Sequence, residues 1–143
     1  MKAGNRALRE PFVGATASYT RTLTDGDVAM FVGVTWDVNP YHTSDTFAMT
    51  TRFGRRIVPG LLTASLFTHL GGLWSFLATR MTFEFVAPVY VGDTIRVDLE
   101  IVEYEPQRRA TRLRGRCVTQ EGREVLRAEV EGIAPDPGDG DNG

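Results

Sequence analysis

One cysteine, two histidines and one lysine are all that the chain holds of those residues, and it has no long apolar run. Each shortage excludes something. Cys117 has no second thiol to pair with, so no internal disulfide holds the fold, and in the alternating stretch RLRGRCVTQ it reads as a small buried hydrophobe. Two histidines and one cysteine make no zinc-spaced cluster, and no run of carboxylates resembles a calcium loop, so no metal cofactor is expected. The opening MKAGNRALREPFVGA lacks a continuous apolar core of signal-peptide length. No stretch is long enough to span a bilayer. The expected location is the cytoplasm, with no membrane partner. Lys2 leaves arginine to supply the rest of the 16 basic residues. They scatter from Arg6 to Arg127 in a chain of net charge -2, which excludes a nucleic-acid patch. No glycine-rich fingerprint follows a strand, so no nucleotide redox cofactor is expected.

What remains is a chain of 143 residues, enough for one domain with its own core. Residues 1–15 read as a flexible lead-in, 16–134 as the domain, and 135–143, PDPGDGDNG, as a disordered acidic tail with nothing apolar to bury. ASYTRTLT suits a strand. Thr24 is placed to cap a helix over DVAMFVGVT, with Asp27 where an acid favours a helix N-terminus, and Ser44 to cap a second short helix. From Gly60, GLLTASLFTHLGGLW is apolar around nearly its whole circumference, the pattern of a long buried helix. Four strands follow, with Ile95, Val97, Leu99 and Ile101 alternating against Arg96, Asp98 and Glu100. The links VYVG, PQR and QEG are short, so an antiparallel meander is expected. Arg112, Arg114 and Arg116 read as one exposed face paired with acids on neighbouring strands. The fold class is α+β: a single hot-dog domain, its curved antiparallel sheet wrapped around the central helix.

DVNPYH, followed about twenty residues later by RRIVPGLLTASLF and then by FVAPVYVGDTIRVDLEI, resembles the MaoC-like dehydratase family. Its small single-domain (R)-specific enoyl-CoA hydratases, the hydratase 2 type, are the nearest likeness. The resemblance runs from Tyr19 to Ile133. It implies a hot-dog subunit, usually a homodimer, that adds water reversibly to trans-2-enoyl thioesters of CoA or acyl-carrier protein and gives the (R)-3-hydroxyacyl product. Carried over by position, Asp37 and His42 match the catalytic pair, Asn39 the motif asparagine, Gly60 the backbone donor to the thioester oxygen, and Thr68 a small hydroxyl residue on the helix near the pair. Many relatives carry His before that glycine. This chain has Pro59.

Each residue also has an ordinary reading. Asp37 and Asn39-Pro40 make a turn by themselves, Gly60 suits tight packing, and a helical Thr such as Thr68 commonly bonds a carbonyl one turn back. His69 reads as a structural or interface histidine. Arg52, Arg55 and Arg56 suit either phosphates or a solvated loop. Two other functions stay open: a non-catalytic subunit that binds an acyl chain or completes a heterodimer, and a hot-dog thioesterase. The intact Asp37/His42 pair argues against the first. The lack of a carboxylate between Gly60 and Trp74 argues against the second.

Overall fold

The computed structural model describes residues 10–139. Its elements run β1 (Thr16–Thr22), α1 (Asp25–Thr35), α2 (Pro40–Thr43), α3 (Asp45–Met49), α4 (Gly60–Ser65), α5 (Phe67–Leu73), β2 (Leu77–Phe85), β3 (Thr94–Glu105), β4 (Ala110–Thr119) and β5 (Glu124–Ile133). Residues 1–9 of the expected lead-in and 140–143 of the expected tail lie outside the described residues. Gly14 and Ala15 already pair with Ile101 through backbone bonds of 2.8 and 2.9 Å.

The period-two alternation works as read. Ile95, Val97, Leu99 and Ile101 of β3 are buried, as are Leu113 and Cys117 of β4 and Leu126, Ala128 and Val130 of β5. Burial pushes the Cys117 thiol up to about 12, so it packs as an inert hydrophobe. On the opposite face Arg116 meets Asp98 at 3.4 Å, Arg112 bonds Glu103, and the register sets Arg114 opposite Glu100 and Glu129.

The strand order is β1-β3-β4-β5-β2, all antiparallel. Only β3, β4 and β5 form the expected meander; β2 pairs with β5, not with the strand that follows it. The link after β2 is a crossing and not a hairpin turn. Val86 N–H bonds the Val125 carbonyl at 3.0 Å, the Val89 carbonyl accepts from Val58 N–H at 2.7 Å, and Tyr90 bridges Ile57. That crossing carries the chain from one edge of the sheet to the other side.

The central helix also departs from expectation, since it comes as two segments meeting at Leu66. The Leu66 carbonyl accepts the Tyr19 hydroxyl, whose pKa burial lifts to about 12 and so keeps it a donor. Backbone bonds there shorten to the i+3 pattern, as in His69 N–H to Leu66. Leu62, Ala64, Phe67, Leu70 and Trp74 face the sheet, while Leu61 and Leu73 are 61% and 50% exposed. One side is buried, not the whole circumference. Phe67 fits because β4 offers Gly115: a Cβ there would stand 2.5 Å from its ring.

Helix α1 is capped as its sequence requires. Asp27 accepts from Thr24 N–H at 2.8 Å, from the Thr24 hydroxyl at 3.0 Å and from Arg21 at 2.7 Å, and Thr24 in turn accepts from Asp27 N–H. The Thr24 backbone bond does most to hold the Asp27 carboxyl below its ordinary value; burial works against it, and Arg21 and the Thr24 hydroxyl assist. A lowered folded-state pKa gives stability that is present above the unfolded value and lost as pH falls through the folded one. Wild-type Tm should therefore fall below about pH 4. Asp27→Asn should be less stable at pH 7 and show a flatter acid limb. An acid limb as steep as wild type would rule out this assignment.

Candidate active site

The turn after α1 is made by an unusual residue. Trp36 closes the helix in the left-handed region, at φ 59° and ψ 24°, with its N–H on the Val32 carbonyl, and the residue is 84% exposed. A non-glycine residue there is strained by about 1–2 kcal/mol. The bend redirects the chain, and the Thr35 hydroxyl catches Asp37 N–H at 3.2 Å. One Asp37 oxygen accepts Asn39 N–H at 3.3 Å, leaving the other free to face inward.

Asn39 then starts α2, its side-chain oxygen accepting Tyr41 N–H at 3.1 Å, with Pro40 preset at the first helical position. This single turn of helix swings His42 back toward Asp37. His42 Nδ1 lies 2.7 Å from the Ile57 carbonyl. A carbonyl only accepts, so Nδ1 carries the proton, and in neutral imidazole Nε2 keeps its lone pair. Nε2 stands 3.9 Å from Asp37 Oδ2. That is too far for a hydrogen bond, yet one water molecule can touch both atoms.

Arg56 fixes the frame from behind. Its guanidinium donates to Asp25 at 2.8 Å, to Asp45 at 2.7 Å and to the His42 carbonyl at 3.3 Å, tying α1, α3 and the histidine's own backbone to one group. The Arg55 guanidinium lies over the Tyr90 ring at 4.0 Å, and Arg52 over Phe53 at 4.8 Å.

Asp37 and His42 open onto a cavity of about 380 Å³ shared with Gly60, Pro59 and Thr63, its walls otherwise apolar and including Phe31, Val58, Phe85 and Leu126. Gly60 is the first residue of α4, where a helix leaves its N–H without an intrahelical acceptor. A Cβ at Gly60 would stand 2.8 Å from the Phe85 ring. Pro59 is fully buried and precedes the helix without any side-chain cap. A larger groove of about 880 Å³ on the charged sheet face holds none of these residues.

Three of the sequence candidates thus meet: Asp37, His42 and Gly60. Asn39 supports them from an exposed position, through backbone. Thr68 is not brought to the cavity. Its hydroxyl donates to the Ser65 carbonyl at 2.6 Å, and the residue lines a separate apolar pocket near Trp74 and Phe76. His69 is exposed, its ring 4.6 Å from that of Tyr19. Thr63 and Trp36 were not singled out by sequence. The available signal for Thr63 is its place three residues after Gly60, on the same side of the helix.

The model of the MaoC like domain matches residues 12–121. The chain is 39% identical to 3-hydroxybutyryl-CoA dehydratase of Methylorubrum extorquens over 80% of its own length and 74% of that protein's. It is 31% identical to (R)-specific enoyl-CoA hydratase of Rhodospirillum rubrum, covering 85% of this chain and 87% of that one. Among solved structures, the (R)-hydratase from A. caviae superposes with a TM-score of 0.84 at 30% identity, over 89% of this chain and 99% of that one. With the family model spanning most of the domain and the fold shared with solved hydratases, the chain belongs to the MaoC-like domain family.

Proposed function

We propose that this protein hydrates trans-2-enoyl thioesters reversibly to (R)-3-hydroxyacyl thioesters. The observation that carries the reading is the 3.9 Å gap between His42 Nε2 and Asp37, at the wall of an apolar cavity that also holds the start of α4. His42 Nε2 takes a proton from a water held between the two side chains. The water oxygen bonds C3, the C2=C3 π bond opens, and the imidazolium beside Asp37 returns the proton to C2. Gly60 N–H receives the negative charge that gathers on the thioester oxygen. Asn39 shapes the turn, and no cofactor enters the cycle.

The substrate is a CoA or acyl-carrier thioester, and the protein works in the cytoplasm as a homodimer. Supporting the dimer are Leu61, Leu73, Leu77 and Phe85, large apolar side chains left exposed on the helix and on edge strand β2. A thioesterase would want a carboxylate on or beside the central helix, and Gly60–Trp74 holds none. Incubation with crotonyl-CoA tests the reading: enoyl absorbance should fall without release of free thiol, and chiral analysis should find the (R) product. Thiol release, or a protein inert toward both crotonyl-CoA and crotonyl-acyl-carrier protein, would overturn it.

A further inference from the structure

The cavity carries three polar side chains, and the mechanism above uses two of them. Thr63 is the third. It is 2% exposed, and its hydroxyl oxygen has no hydrogen-bond partner among the described residues. Among the described residues the other buried threonine hydroxyls are satisfied. Buried Thr111 donates to the Arg109 carbonyl and buried Thr119 accepts from Glu121 and Arg123, while Ser65 and Thr68 on the same helical run donate to carbonyls one turn back. Burying a hydroxyl unpaired is destabilising, so an unpaired one in a cavity wall is a group waiting for a ligand atom.

The helix says which atom. Helical side chains lean toward the N-terminus, so Thr63 covers the turn that begins at Gly60, whose N–H has no intrahelical acceptor. The carbonyl end of Thr63's turn is already engaged, since the Pro59 oxygen accepts N–H groups from Leu62 and Thr63 itself. We infer that the Thr63 hydroxyl is a second donor to the substrate's thioester oxygen, working beside Gly60 N–H. This rests on the hydration reading and adds a substrate-contacting residue to it. Pro59, fully buried and without a polar group, leaves Thr63 as the side chain able to supply that second bond from the helix.

Three variants and three ligands test it. Thr63→Val keeps the shape and removes the hydroxyl; Thr63→Ser keeps the hydroxyl; Thr63→Ala replaces Val if that variant does not fold. With crotonyl-CoA, Thr63→Val should lose about 10–100-fold in kcat/KM, while Thr63→Ser stays within about threefold of wild type. Unreactive butyryl-CoA should bind Thr63→Val about tenfold more weakly, whereas S-butyl-CoA, a thioether with no carbonyl oxygen, should bind both proteins alike. Without ligand the Tm of Thr63→Val should hold or rise by about 2–4 °C, because an unpaired buried hydroxyl is gone. An unchanged kcat/KM in the folded hydroxyl-free variant, or equal losses for the two inert ligands, would each overturn the inference while active wild type leaves the hydration reading standing. Wild type that hydrates neither crotonyl-CoA nor crotonyl-acyl-carrier protein overturns both.

Discussion

Asp37→Asn and His42→Ala should each lower kcat for crotonyl-CoA hydration by roughly 10²–10⁴-fold, the range of a positioned acid-base group. The two variants should differ in stability. Asn at 37 still offers an oxygen to Asn39 N–H, in an exposed turn, and leaves Tm near wild type. Ala at 42 deprives the Ile57 carbonyl of its 2.7 Å partner and should cost about 2–4 °C. Because one water is shared, the double variant should be no more than about tenfold worse than the poorer single one. Losses that multiply would mean that Asp37 and His42 act in separate steps, against the geometry proposed.

Gly60 gives the second large effect, and a proline separates its two possible contributions. Proline is well accepted at the first position of a helix, where its missing N–H makes no helical bond. Pro59, at φ -53° and ψ 131°, already has the backbone required before a proline. Gly60→Pro should therefore fold and lose roughly 10²–10³-fold in kcat, the usual cost of removing an oxyanion donor. Gly60→Ala is the control. It keeps the N–H and adds a Cβ 2.8 Å from the Phe85 ring, the outer part of a side chain that turns about its χ angles to make room. A loss of about tenfold or less is expected there, of the order of one misplaced contact. Equal losses in the two variants would show that room beside Phe85, and not the N–H, is what Gly60 supplies.

The sequence was most readable where a pattern has a local cause. Thr24, Asp27 and Ser44 cap helices because their side chains reach the nearest free N–H groups, and β3 to β5 alternate because one face packs. Asp37, His42 and Gly60 were found through a motif whose parts are distant in sequence but joined by the Ile57 carbonyl and the start of α4. Failures came where a distant partner decides. FVAPV reads as a continuation of the strand and VYVG as a hairpin link, so nothing in the sequence announces that β2 ends at Phe85 and pairs with β5. The helix is interrupted at Leu66, the residue whose carbonyl accepts a hydroxyl from β1. Thr63, one threonine in an apolar run, looks like ordinary tolerance in the sequence, and its meaning depends on the absence of a partner that only the packed structure reveals. Thr68 followed the general habit of helical threonines and spent its hydroxyl on its own backbone.

The crossing from β2 to β3 also bears on the order of assembly. β3, β4 and β5 are joined by tight links and can pair early, but β1 must find β3 and β2 must find β5 across long stretches of chain. Asp37 and His42 lie between those late strands, and their frame closes only when Val58 and Ile57 meet Val89 and Tyr90 of the crossing. Catalytic competence is thus expected to be the last property the folding chain acquires. In stopped-flow refolding, hydratase activity should return after the far-ultraviolet signal of the sheet, and simultaneous recovery would argue against this sequence of events.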